Sequence, residues 1–117
     1  MSSHYLSPLF TPKSVAVFGA SNISGKVGYV VFENMLRSGF QGALYPINPK
    51  YAEVQGKPAY SSISVIHEPV ELAVIATPPQ TVPGIIESCG NEGVKAAVII
   101  TAGFREAGGG LEEQLLS

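Results

Sequence analysis

One stretch constrains this chain more than any other: Ser14-Val-Ala-Val-Phe-Gly-Ala-Ser-Asn-Ile-Ser-Gly-Lys-Val-Gly28. Val15 to Phe18 is a short apolar run that reads as a buried strand closed by Gly19. A loop of small residues follows, with Ala20, Ser21 and Gly25. Val27, Val30, Val31 and Met35 then recur near helical spacing. Strand, glycine turn and helix in direct succession is the layout of a nucleotide-binding βα unit. Gly19 permits the tight turn, Gly28 lets the helix approach the strand, and the helix N-terminus offers unpaired N–H groups to a phosphate. The spacing is not the Gly-x-Gly-x-x-Gly dinucleotide fingerprint, because Ala20 and Ser21 follow Gly19. Nor is it a full P-loop, because Val27 follows Lys26 where Ser or Thr belongs. A tight turn in an α/β fold with no ligand is the alternative reading of these glycines alone.

The chain of 117 residues suits one domain, and a composition 45% hydrophobic and 14% charged can build a core rather than a disordered coil. A net charge of -2 gives no case for a nucleic-acid partner. No apolar run approaches the roughly 20 residues of a membrane span. Met-Ser-Ser-His-Tyr5 has neither a basic start nor an apolar signal core, and residues 1–5 are read as disordered. A single cysteine, Cys89, excludes an internal disulfide, and with no export signal read at the N-terminus a reducing cytoplasm is the simplest expectation for the compartment.

Leu6, Leu9 and Phe10, among Pro8 and Pro12, form an irregular lead-in to the core. The first helix is expected from about Lys26 to Ser38, with Arg37 favouring its negative end, Gly39 stopping it and Phe40 packing back. Ala43 to Ile47 is the next strand, and Pro46 should make it short or irregular. The region from Ala52 to Glu71 is the least legible. Ala59-Tyr60 is expected as a short strand, and Ile63, Val65 and Ile66 as one helical turn. Leu72 to Thr77 is a buried strand closed by Pro78-Pro79. Val82, Ile85, Ile86 and Cys89 then give a helix one apolar face, with Pro83 in its first turn. Gly93 stops that helix, Ala96 to Thr101 is a further buried strand, and a last helix begins near Leu111.

Apolar strands alternating with amphipathic helices imply a Rossmann-like, doubly wound α/β fold, with a mostly parallel sheet and helices on both faces. Ligands bind such sheets beyond the carboxyl ends of the strands. The segments Gly19 to Lys26, Asn48 to Tyr51, Thr77 to Gln80 and Thr101 to Arg105 should meet there. Rich in Gly, Ser, Thr, Asn and Pro, with two lysines, they suit a phosphate-bearing ligand. Other chemistry is thin. His4 and His67 are read as surface residues, Cys89 as a small core residue, and Glu106, Glu112 and Glu113 as solvated charges. Ser21 has no base near it in sequence, and no Cys/His cluster supports a metal.

Gly19-Ala-Ser21 with Gly25-Lys-Val-Gly28, Tyr45-Pro-Ile-Asn-Pro-Lys50, Ala76-Thr-Pro-Pro79 and Ile100-Thr-Ala-Gly-Phe104 stand in order at the strand ends. Together they resemble the coenzyme A-binding domain of the NDP-forming acyl-CoA synthetases, the superfamily of the succinyl-CoA synthetase α subunit. The resemblance runs from about Leu6 onward. It implies that the first loop (Gly19, Ala20, Ser21, Gly25, Lys26, Val27) faces the CoA phosphates. Asn48, Pro49 and Lys50 would lie near the ribose, adenine or phosphate end. Thr77, Pro78, Pro79, Thr101, Ala102 and Gly103 would line the cleft beside nucleotide and pantetheine. The family domain continues into a further strand and a Gly-Pro-Asn motif, so the chain is read as a fragment of a longer protein. Its implied partners are CoA or acyl-CoA and the remaining domains or subunits of a synthetase, with a homo-oligomer left open.

The family's phosphorylated histidine and nucleotide-grasp domain are not in this sequence, so the chain by itself is expected to catalyse nothing. The parent reaction implied is acid, CoA and nucleoside triphosphate giving acyl-CoA, nucleoside diphosphate and phosphate through phosphohistidine. Two other readings stay open. One is a CoA-sensing domain fused to a lysine acetyltransferase. The other is an NAD(P)-binding oxidoreductase module, against which Asn48-Pro-Lys50 stands where NAD wants an acidic residue.

Overall fold

Residues 12–100 are described by a computed structural model. The lead-in of Leu6, Leu9 and Phe10, the N-terminal residues and the expected helix from Leu111 lie outside the described residues.

The run Ser14–Phe18 forms β1, one of the two inner strands of the main sheet. Val27–Arg37 forms α1, with Lys26 and Ser38 as its caps rather than its ends. Ala43–Ile47 forms β2, and Glu53–Val54 and Lys57–Pro58 form β3 and β4. Leu72–Ile75 forms β5, Val82–Asn91 forms α2 and Ala96–Ile99 forms β6. Short 3₁₀ turns occupy Ile63–Val65 and Pro79–Thr81.

The main sheet has the order β2-β1-β5-β6 with every pair parallel, in register Val15 with Leu44 and Leu72, and Ala73 with Ala97. Parallel strands covered on both faces bury alternate residues on opposite sides. Val15, Val17, Leu72 and Val74 pack with Phe32 of α1. Ala16, Phe18, Ala73 and Ile75 pack with Cys89 and Ile85 of α2. The two helices therefore lie on opposite faces, giving the doubly wound, Rossmann-like fold. From β1 the chain moves outward to β2, then returns to β5 on the other side of β1. That reversal opens the crevice in which such sheets hold ligands.

Four details differ from expectation. The strand read as buried from Ala96 is only partly so, with Ile99 of β6 45% exposed. Pro46 does not disturb β2. Ala43 N–H donates to the Lys13 carbonyl and the Ile47 carbonyl accepts from Gly19, so odd-numbered residues of β2 face β1. Pro46 faces outward, where its carbonyl accepts Tyr60 N–H at 2.9 Å and its missing donor costs no ladder bond. Ala59-Tyr60 is not a strand. Tyr60 makes a single parallel bridge to Ile47, and the extended pairing sits earlier, in the antiparallel β3–β4 hairpin. Ile86, expected on the buried face of α2, is 39% exposed, while Val82, Ile85 and Cys89 carry the packing.

Candidate functional site

Two glycines bring β1, β5 and α1 together at the crevice. Gly19 has φ +87, and a β-carbon there would lie 2.7 Å from the Ala76 carbonyl oxygen. A β-carbon on Gly28 would lie 1.8 Å from the Gly19 carbonyl oxygen. Neither position has room for a side chain, and that absence lets α1 begin directly against the end of β1. Lys26, the N-cap, is extended (φ -73, ψ 148) with no side-chain cap bond. Its carbonyl accepts from Tyr29 at 3.0 Å and Val30 at 3.1 Å. Among the described residues, the Val27 and Gly28 N–H groups have no backbone acceptor. These donors, with the positive end of the helix dipole, suit an anion.

Asn48 builds the second wall. Its Nδ2 donates to the Ala20 carbonyl at 2.9 Å, and its Oδ1 accepts Lys50 N–H at 2.9 Å. Its own N–H donates to Tyr60 at 2.9 Å. One side chain thus fixes the turn that carries Lys50 and ties it to the first loop. In the third wall, Thr81 Oγ1 donates to the Pro78 carbonyl at 2.7 Å. Its single proton is then used, so Thr77 donates in the 2.6 Å contact between the two hydroxyls.

These walls enclose two adjoining spaces. A cleft of about 680 Å³ is lined by Gly19, Ser21, Lys26, Val27 and Gly28 from the first loop, and by Asn48, Lys50 and Tyr51 from the second. Ala76, Thr77, Pro78 and Pro79 close it, with Ile100 at its far edge. Beside it lies a cavity of about 450 Å³ with an apolar floor of Phe18, Ile47, Ile63 and Ile85 and hydroxyl groups from Ser61, Ser62, Ser64 and Ser88. Gly19, Asn48 and Thr77 line both.

Most of the expected site residues therefore meet. Pro49 lines the apolar cavity instead of the cleft. Ala20 is fully buried and contributes its carbonyl to Asn48. Gly25 is exposed, with φ +92, and lines neither space. Thr101, Ala102 and Gly103 lie outside the described residues. Burial pushes the Cys89 thiol up from its ordinary value, consistent with a core residue rather than a nucleophile.

The model of the CoA binding domain family matches residues 13–113. The chain belongs to the CoA binding domain family. The domain is 52% identical over 97 residues to an ADP-forming acetate–CoA ligase of Methanocaldococcus jannaschii, covering 83% of this chain and 14% of that protein. It is 44% identical over 107 residues to the α subunit of an ADP-forming acetate–CoA ligase of Pyrococcus furiosus, covering 88% of this chain and 23% of that subunit. It superposes with a TM-score of 0.80, at 45% identity, on an acetyl-coenzyme A synthetase of Ca. Korarchaeum cryptofilum solved with phosphate and ADP. That match covers 94% of this chain and 24% of the other. The domain thus spans less than a quarter of each of these relatives. The matches give no support to the acetyltransferase-fused or oxidoreductase readings. Among the described residues, no helix is long and apolar enough to cross a membrane.

Sequence reasoning missed several residues that shape the CoA binding domain. Asn22 and Gln55 bind the first loop to the β3–β4 hairpin across more than thirty residues of sequence, as Asn22 Oδ1 accepts Gln55 N–H at 2.8 Å. No local pattern announces such a contact; the only cue is Gly56, which marks Gln55-Gly56 as a two-residue hairpin turn. The hydroxyl groups of Ser61, Ser62 and Ser64 were hidden by the same illegible region, where neither helical nor strand period is sustained.

Proposed function

We propose that this CoA binding domain holds coenzyme A across the joined spaces at its strand ends. The observation that carries the reading is the shared wall of Gly19, Asn48 and Thr77. On one side is a cleft with two exposed lysines and two free helix N–H groups. On the other is an apolar cavity edged with hydroxyls. A ligand that joins phosphates to an aromatic ring has this division of chemistry. The adenine ring occupies the apolar cavity, where desolvation of its faces is favourable and the serine and threonine hydroxyls meet its edge. The pyrophosphate lies on the first loop, against the Val27 and Gly28 N–H groups and Lys26. Lys50 contacts a phosphate from the opposite wall. The pantetheine arm runs past Pro78 and Pro79.

Bound coenzyme A supplies a thiol for acylation. The residues of this chain bind and orient the nucleotide; none of them is asked to move a proton. The parent activity we infer is NDP-forming acyl-CoA ligation through a phosphohistidine, in a cytoplasmic enzyme whose other domains or subunits carry the histidine and the nucleotide grasp.

Calorimetric titration with CoA and dephospho-CoA tests the assignment of Lys50. A charge-assisted contact is worth about 1.5–3 kcal/mol, or roughly ten- to a hundredfold in affinity. Lys50→Ala should weaken CoA by about that factor. If Lys50 holds the 3′-phosphate, dephospho-CoA binds weakly to wild type and loses little more in the variant; if it holds the pyrophosphate, both ligands lose equally. Unchanged CoA affinity in Lys50→Ala removes Lys50 from the site.

A further inference from the structure

The β3–β4 hairpin grips the first loop from outside the cleft. Gln55 and Gly56 both have positive φ, +49 and +87, so the turn is of the type whose two central residues are left-handed. Glutamine is a poor residue for that conformation, since its β-carbon crowds its own backbone. What holds it there is a set of bonds to the loop and to α1. The Gln55 Nε2 donates to the Ser21 carbonyl and to the Tyr29 carbonyl, each at 3.2 Å. The Gln55 N–H donates to Asn22 Oδ1 at 2.8 Å, and Asn22 Nδ2 donates back to the Glu53 carbonyl at 2.8 Å. The Asn22 amide thus spans the hairpin while the Gln55 amide spans the loop and the first turn of α1. Val54, wholly buried against the α1 face of the sheet, anchors the hairpin from below.

Neither Asn22 nor Gln55 lines the cleft. Ser21 does, and Lys26, Val27 and Gly28 follow within the same loop and helix start. We propose that Asn22 and Gln55 are positioning residues: their reciprocal amide latch sets the conformation of the loop that receives the ligand's phosphates. The affinity part rests on the assignment of coenzyme A made above. A loop held in its bound shape before the ligand arrives loses less freedom on binding. A strained Gln55 kept for its side chain fits that role, because glycine would satisfy the backbone better.

The test exploits that conflict in the 117-residue chain. Gln55→Gly removes the strain together with the side-chain bonds. The latch predicts an unchanged or raised melting temperature, CoA affinity weakened about three- to tenfold, and faster amide exchange at Ser21 to Gly28 with Val15 to Val17 unaffected. Asn22→Ala should weaken CoA to a similar degree, and the double variant by less than the product of the two, since each releases the same loop. A purely structural role would move stability and affinity down together. Unchanged loop exchange in Gln55→Gly overturns the latch whether or not CoA binds. Failure of the wild-type chain to bind CoA, with loop exchange still raised in the variant, overturns the ligand assignment and leaves the latch standing.

Discussion

The α carbon of Gly28 sits so close to Gly19 that a β-carbon on it would lie 1.8 Å from the Gly19 carbonyl oxygen. The obstacle is backbone, fixed in turn because Gly19 N–H donates to the Ile47 carbonyl at 3.0 Å. The contact joins the start of α1 to the end of β1, and everything that could receive a phosphate is arranged around it.

Gly28→Ala should therefore act as an overpacking substitution with no flexible neighbour to yield. Such changes cost about 1–3 kcal/mol, occasionally more. The expected outcome is a lowered midpoint in urea unfolding together with a large loss of CoA affinity, because α1 must shift away from the cleft. Wild-type stability and affinity in this variant would show that the close approach does not matter.

Among the described residues Phe32 is the largest fully buried side chain, and it lies between α1 and the sheet, among Val15, Val17 and Val74. Removing a buried phenyl ring costs about 3–5 kcal/mol. Phe32→Ala should bring a domain of this size close to its unfolding threshold, read as a sharp fall in thermal midpoint. A midpoint within a degree or two of wild type would contradict the packing described for this face.

The alkaline side of the stability profile has a named origin. Burial raises the Cys89 thiol above its ordinary 9.0. Burial, the Glu68 carboxylate and Tyr60 raise the Tyr45 phenol above its ordinary 10.0. In both cases the folded state prefers the protonated form. Their contribution is complete below the ordinary value of each group and is lost as pH rises through the raised folded value. Thermal midpoints should thus hold between pH 7 and 8.5 and decline above about pH 9. Cys89→Ala should remove the first part of that decline. A wild-type midpoint that is constant or rises from pH 9 to 10.5 would contradict the assignment.

The main-sheet strands and the two helices were legible because each carried a sustained apolar pattern. Val15 to Phe18 and Leu72 to Ile75 are apolar at every position, as strands covered on both faces must be. Val82, Ile85 and Cys89 keep helical spacing and do pack inward. The hairpin was not legible. Its strands are two residues each, too short for any alternation to register. What stabilises it is long-range: the amide pair of Asn22 and Gln55 and the burial of Val54. Pro46 misled for a related reason. A proline tells that a donor is missing, but only the neighbouring strands tell which edge the gap faces, and here Tyr60 lies on that edge. In the site, Lys26 could be named from its place at the start of α1, and Asn48, Lys50 and Thr77 from their positions just after strands, whereas the serines of the apolar cavity come from a connection with no period at all.

Strand ends that hold coenzyme A rather than a dinucleotide should tell the two ligands apart at the end of β2. Asn48-Pro-Lys50 puts a cation where an NAD site places an acid for the ribose hydroxyls. Titration of the wild-type chain with CoA and with NAD, side by side by calorimetry, tests this most directly. CoA should bind roughly tenfold more tightly than NAD, or better; NAD binding as tightly as CoA, or more tightly, would contradict the assignment of coenzyme A.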